Sequence, residues 1–298
     1  MYDVVIIGAG PAGLSAGIYA CRGGLKVAII ENKSVGGQAQ TAADIQNYPG
    51  IKSTSGFDLC YAMMDQCMEF GAEFLFDSIA SVSLIGETKA IGLASGKIVE
   101  AKNVIIASGA NARKLGVPNE SKFIGKGVSY CATCDGAFFK GKTVAVIGGG
   151  NTAAEDALYL EKLAKKVYMV HRRDSLRADD ILVKRLEKSN VEIVWDSVVE
   201  NLGGEDKITQ LTLKNVKTNA LTTISVDGVF VAIGQTPNSQ GFENISLSSG
   251  GYIIADENMH TNIDGVYAVG DVREKSLRQV VTACADGAIA ANAIVNGI

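Results

Sequence analysis

Shifted by 140 positions, the chain aligns with itself without a gap: Gly8 falls on Gly148, Gly10 on Gly150, Tyr19 on Tyr159 and Val27 on Val167. Each copy reads as the same local unit. Tyr2–Ile7 (YDVVII) and Thr143–Ile147 (TVAVI) are apolar runs of strand length. A glycine-rich turn follows each, Gly8-Ala9-Gly10-Pro11-Ala12-Gly13 and Gly148-Gly149-Gly150-Asn151-Thr152-Ala153. A helical stretch comes next, to about Tyr19 in the first copy and through ALYLEKLAKK in the second. A second strand closes each unit, Lys26 to Ile30 ahead of Glu31 and Val167 to Val170 ahead of His171. One such glycine pattern is a weak signal, but two in register, each inside strand–turn–helix–strand, are the βαβ dinucleotide fingerprint in its proper context. In the first copy Gly8 makes the tight turn, Gly10 lets the backbone approach a pyrophosphate, and Gly13 lets the helix lie close to the strand. The helix N-terminus turns free N–H groups and a positive dipole end toward the phosphates. Pro11 and Ala12 in the first turn, and Asn151, Thr152 and Glu155 in the second, join these glycines as candidate cofactor contacts.

The copies part where the second strand ends. Glu31 aligns with His171, and Asn32-Lys33 with Arg172-Arg173. A carboxylate accepts from bare ribose hydroxyls and repels a phosphate, whereas guanidinium forks bind phosphate oxygens in pairs. The first copy is therefore expected to hold the adenosine of FAD. The second is expected to hold NADPH rather than NADH, with Arg177 joining Arg172 and Arg173.

Later in the chain, Val104–Gly109 (VIIASG) resembles Val229–Gly234 (VFVAIG). Each reads as a late strand ending beside its own cofactor, which adds Gly109, Ile233 and Gly234 to the candidates. The expected fold is α/β, with two Rossmann-like three-layer ββα/βαβ dinucleotide-binding domains. Residues 1–113 and 244–298 would form a discontinuous FAD domain, and residues 116–241 an NADPH domain inserted into it. The crossovers fall near Lys114-Leu115-Gly116 and Gln240-Gly241-Phe242, and two of them side by side make a hinge.

Just ahead of the second copy stands Cys131-Ala132-Thr133-Cys134-Asp135-Gly136. A CxxC pair can close a disulfide and open it again, one sulfur attacking a substrate disulfide and the other resolving the mixed one. Asp135 is placed to shuttle the proton that a leaving thiolate needs. The alternative is half of a zinc site. That needs two more ligands, and the chain has only two histidines, His171 and His260, and no second CxxC. No metal is expected. The other four cysteines, Cys21, Cys60, Cys67 and Cys284, lie on apolar helical stretches and read as small buried residues. A net charge of −4 gives no pull toward nucleic acid or anionic membrane, and no run approaches the ~20 apolar residues of a membrane span. With no basic leader ahead of the first strand, the expected location is the cytoplasm, where six cysteines are not a structural disulfide framework.

Together these residues resemble the low-molecular-weight thioredoxin reductases over nearly the whole chain: GAGPAG at 8–13, GGQ at 36–38, NYPG at 47–50, CATCDG at 131–136, GGGNTA at 148–153, HRR at 171–173 with Arg177, Gly270-Asp271, and RQVVTA at 278–283. The resemblance implies a homodimer that carries FAD and reduces thioredoxin with NADPH. Cys131 would attack the thioredoxin disulfide, Cys134 would lie nearer the flavin, and Asp135 would be the acid–base. Gly36, Gly37, Gln38, Asn47, Arg278, Gln279 and Val280 would line FAD, and Asp271 would meet its ribityl chain. Two positions depart from the family's usual pattern: Ser108 stands where Thr is common, and Gln46 where Glu is common.

Overall fold

The computed structural model describes residues 1–42 and 44–297; Ala43 and Ile298, which the sequence reading includes in the FAD-binding segments, lie outside the described residues. The first part of the chain forms β1 (Tyr2–Ile7), α1 (Pro11–Arg22), β2 (Val27–Glu31), α2 (Gly56–Glu69), β3 (Glu73–Phe76), β4 (Ile79–Ser83), β5 (Lys89–Leu93), β6 (Ile98–Ile106) and β7 (Ala110–Ala112). Next come α3 (Glu120–Phe123), β8 (Val128–Ser129), α4 (Ala132–Asp135), β9 (Thr143–Ile147), α5 (Asn151–Glu161), β10 (Lys166–Val170), α6 (Asp180–Leu186) and β11 (Glu192–Val194). The chain continues through β12 (Ser197–Gly203), β13 (Gln210–Asn215), β14 (Leu221–Ser225) and β15 (Gly228–Val231), then β16 (Gln235–Pro237), β17 (Val266–Ala268) and α7 (Val280–Asn296). It divides into two compact units, Met1–Asn111 with Thr236–Ile298, and Ala112–Gln235. Its two passages between them run through β7 and β16, which pair as a two-stranded sheet.

In the first unit the order β3-β2-β1-β6, with β17 on the far side of β6, is parallel throughout. β6 is long enough to serve two layers. Its first half pairs antiparallel with β5, and its second half runs parallel between β1 and β17. Side-chain alternation along β1 then makes the layers. Val4 and Ile6 point into a core shared with α1, α2 and α7, while Val5 and Ile7 point into one shared with the β4–β5 meander. The second unit repeats the plan. β11-β10-β9-β15-β8 is a parallel sheet, and β12-β13-β14 is its antiparallel companion. Val144 and Val146 face the α5 and α6 side, and Ala145 and Ile147 the antiparallel side.

Strand register carries the repeat further than the glycine motifs do. Ile106 of β6 pairs with Ile7, and Val231 of β15 pairs with Ile147. The two late runs that look alike in sequence therefore hold the same slot beside the first strand of each unit. One sequence expectation is corrected. The helix of the second copy ends at Glu161 rather than continuing through Lys166. The backbone N–H of Lys162 already bonds back to Tyr159, and Lys165 and Lys166 both donate to the carbonyl of Lys142, which starts β10.

Candidate active site

Both glycine turns sit where a strand of a parallel sheet ends, the edge at which α/β folds bind ligands. In the first unit a Cβ on Gly8 would lie 2.5 Å from the Ala107 carbonyl oxygen, and one on Gly13 would lie 2.0 Å from that of Gly8. Those two glycines are thus needed for packing alone. Gly10 differs: a Cβ there would meet nothing within 4 Å. It is also the N-cap of α1 and gives no side-chain cap, so the first N–H groups of that helix face the same open side. In the second unit a Cβ on Gly148 would lie 2.3 Å from the Ala232 carbonyl oxygen, while Gly150 again meets nothing within 4 Å and caps α5 without a side chain.

The structure brings most of the remaining first-unit candidates to this edge. Glu31 buttresses the turn: one carboxylate oxygen accepts from the Ala9 N–H at 2.9 Å and the other from those of Asn32 and Lys33, each at 2.9 Å. Oε2, which among the described residues accepts only from Ala9, keeps a lone pair for a ribose hydroxyl. Gly36 donates its N–H to the Ala9 carbonyl at 2.7 Å, and a Cβ on Gly37 would lie 3.8 Å from the Cα of Gly10. Gln38 donates through its amide to the Ala110 carbonyl. The carbonyl of Gly109, a glycine with open space where its Cβ would be, accepts from the Asn238 N–H at 2.9 Å. Asn47 donates to Gln279 at 2.9 Å. Gln279 caps α7 in a reciprocal capping box with Thr282, and Val280 is the helix's first residue. Ala12 lies under Gly270, where a Cβ would come within 2.8 Å of its own. Asp271 Oδ1 and Arg278 Nε are buried without a hydrogen-bond partner among the described residues. Burial pushes the Asp271 carboxyl up, and Lys275 and Arg278 pull it back. As for the two departures, Ser108 donates to the Asn238 carbonyl at 2.7 Å and accepts from that residue's amide at its own carbonyl, while Gln46 donates to Asp44.

In the second unit His171 is buried, with its ring against Gly149, where a Cβ would come within 2.2 Å of it. Its Nε2 has no partner among the described residues, and burial, opposed by a backbone bond at Ser175, keeps its pKa low. The imidazole is thus a packed, neutral wedge beneath the turn. Arg172, Arg173 and Arg177 are exposed, and none forms an ion pair among the described residues. The backbone N–H of Arg177 donates to the Gly149 carbonyl at 2.7 Å, which brings that arginine to the turn. Asn151 is tied to Asp179 by two bonds of 2.8 Å. Thr152 and Glu155 are exposed on the first turns of α5. Ile233 is partly exposed, and Gly234 accepts from the Arg113 N–H at 3.0 Å.

Cys131 and Cys134 form a disulfide. It is mounted on α4, which Ala132 anchors: that side chain is buried in the core of the second unit, and Gly136 lets the segment close on Tyr159 and Leu160 of α5. Cys131 is half-buried and Cys134 exposed. Sequence reasoning missed Ser129. Its hydroxyl donates to Asp135 at 2.6 Å and accepts from the Cys131 N–H at 3.1 Å, so one residue fixes both the carboxylate and the start of the dithiol loop. No spacing signal marks it, because the bond depends on the turn that α4 makes. Cys60 and Cys67 are buried, as expected, whereas Cys21 and Cys284 are only partly so. Among the described residues no group of three His, Cys, Asp or Glu could hold a metal ion, and no helix is long and apolar enough to cross a membrane.

Two doubly layered nucleotide units and a redox-active CxxC define a class, and the family described as pyridine nucleotide-disulphide oxidoreductase matches residues 2–287. A thioredoxin reductase from Peptoclostridium acidaminophilum is 47% identical over 302 residues, covering 98% of this chain and 95% of the relative. Among solved structures, thioredoxin reductase from Streptococcus pyogenes MGAS5005 matches with 44% identity and a TM-score of 0.94, covering 99% of this chain and 97% of the other. Lactococcus lactis thioredoxin reductase, in an FR conformation, matches with 40% identity and a TM-score of 0.68, covering 100% of both chains. The chain belongs to the pyridine nucleotide-disulphide oxidoreductases and, within them, to the thioredoxin reductase family. Membership carries FAD and NADPH as cofactors, and the residues present fit both. Gly10 and Gly150 leave open space at uncapped helix N-termini. Among the described residues a buried carboxylate oxygen of Asp271 has no donor, and Arg172, Arg173 and Arg177 form no ion pair.

Proposed function

We propose that this chain is an NADPH-dependent thioredoxin-disulfide reductase in which electrons pass from NADPH through FAD to the Cys131–Cys134 disulfide and on to thioredoxin. The observation that carries the reading is that disulfide, built into the unit in which β10 leads into Arg172 and Arg173, neither of which forms an ion pair among the described residues. When bound, FAD supplies the chemistry that links a hydride donor to a disulfide. The chain's own residues do the rest. Gly10, Glu31 and Asp271 hold FAD in the first unit, on a turn that Gly8 and Gly13 allow to close. Gly148, Gly150, Arg172, Arg173 and Arg177 hold NADPH in the second, where the arginines read the 2′-phosphate.

Once reduced, Cys131 attacks the thioredoxin disulfide as a thiolate, forming a mixed disulfide and releasing one thioredoxin thiolate. Asp135, held by Ser129, takes up the proton that Cys131 loses and gives it to that thiolate. Cys134 then attacks the Cys131 sulfur, which frees the second thioredoxin sulfur and restores the Cys131–Cys134 disulfide.

The dithiol and the NADPH turn belong to one unit and use one flavin by turns. We propose that this unit rotates about the two passages at β7 and β16. Solved relatives of 44% and 40% identity match at TM-scores of 0.94 and 0.68, which supports more than one arrangement among thioredoxin reductases. A rigid cross-link between the units should block turnover, and unimpaired turnover in that protein removes the rotation. The enzyme is proposed to be a cytoplasmic homodimer. Large apolar side chains exposed on α1, α2 and α7, among them Tyr19, Phe57, Met68 and Ile289, support a dimer face on the first unit. An NADPH oxidation assay with and without oxidised thioredoxin tests the activity. Turnover that depends on thioredoxin is expected, and equal rates in its absence contradict the reading.

A further inference from the structure

The first unit holds a buried ion cluster that none of the motifs above includes. Asp286, on α7, is 5% exposed. Its Oδ2 accepts from the Gly270 N–H at 2.9 Å, the Arg273 Nε at 3.0 Å and the Lys275 Nζ at 2.7 Å. Lys275 also donates to the Thr282 carbonyl at 3.2 Å, and its side chain is 7% exposed, as is that of Asp286. Burying ions is costly, and such a cluster is weak evidence of stability for its own sake. Its position suggests another use. Gly270 immediately precedes Asp271, and the same stretch contains the two buried atoms without partners, Asp271 Oδ1 and Arg278 Nε. The Arg278 guanidinium is itself fixed over the Tyr252 ring at 4.2 Å.

We infer that Asp286, bonded to Gly270 and Lys275, balances the charge around the Asp271 carboxylate where that group meets the FAD ribityl hydroxyls. The inference rests on the reading of Asp271 as a flavin contact. Three charged groups act on Asp271: Lys275 and Arg278 lower its pKa, and Asp286 raises it, against a background of burial. Neighbouring elements add little. β17 has no charged residue, α7 has only Asp286, and α1 has only Arg22, at its far end. The signs of the two partners are therefore opposite, although both sit in one cluster.

That opposition gives the test. Holoenzyme is titrated to acid while flavin fluorescence reports FAD release and far-UV circular dichroism reports the fold. Lys275→Met should move the midpoint of release to higher pH, by about one unit, because a cation that favours the ionised carboxylate is gone. Asp286→Asn should move it to lower pH. Shifts in the same direction, no shift, or release that tracks loss of the fold in every protein overturn the inference. Should Asp286→Asn not fold, Lys275→Met against Lys275→Arg decides: only the first is expected to shift the midpoint, and equal behaviour overturns the inference. Wild-type protein that retains no FAD sinks the flavin reading itself, whereas wild type that retains FAD beside unshifted variants sinks only the role of Asp286.

Discussion

Arg172 and Arg173 are legible in the sequence because they stand at the one position where the two copies must differ if they hold different nucleotides. What was not legible is how their neighbour His171 contributes. The sequence places all three in the nucleotide site, but the imidazole is buried against Gly149 and leaves the reading of charge to the arginines. Exposed guanidinium groups without carboxylate partners give up no protein contact when they take a phosphate. Arg172→Ala with Arg173→Ala should raise the Kd for NADPH by at least about tenfold, the scale of one charge-assisted hydrogen bond. The Kd for NADH should be unchanged. Titrating both nucleotides against the variant checks this, and equal losses show that the arginines do not read the 2′-phosphate.

At the scale of elements, the strand–turn–helix units were readable because their signal is local. Apolar strands, glycines at fixed spacing and a helix lie within about thirty residues of one another. The repeat also told which late strands were equivalent, and register places Ile106 and Val231 in the same slot. Contacts that join distant segments left no such mark. Asp286 meets Gly270 and Lys275 only after α7 has packed on α1 and against the turn at Gly270–Val272, and Ser129 reaches Asp135 only through the turn of α4.

The glycine turn itself separates packing from binding. A Cβ on Gly13 would fall 2.0 Å from a backbone oxygen, so Gly13→Ala should cost ~3 kcal/mol or more, the upper part of the range for overpacking. Gly10 has an extended backbone with φ −73° and open space around it. Gly10→Ala should fold within ~0.5 kcal/mol of wild type and yet bind FAD at least about tenfold more weakly, because the methyl enters the space the pyrophosphate needs. Denaturant unfolding of the apoproteins and FAD titrations check both. A Gly10→Ala protein with undiminished FAD affinity would remove that glycine from the binding site.

At the scale of the whole molecule, two units of one plan divide the labour. One carries the features suited to FAD, and the other carries both the features suited to NADPH and the disulfide that passes electrons out. The duplication explains why so much of the architecture could be read from a shift of 140 positions, while the arrangement of the units had to be argued from chemistry. The central claim is that Cys131 and Cys134 stand between the flavin and thioredoxin. Rapid mixing of Cys134→Ser holoenzyme with NADPH, followed by addition of oxidised thioredoxin, tests it most directly. The account predicts loss of the flavin's visible absorbance at a rate close to wild type and no reduction of thioredoxin. Thioredoxin reduction by this variant at the wild-type rate would contradict it.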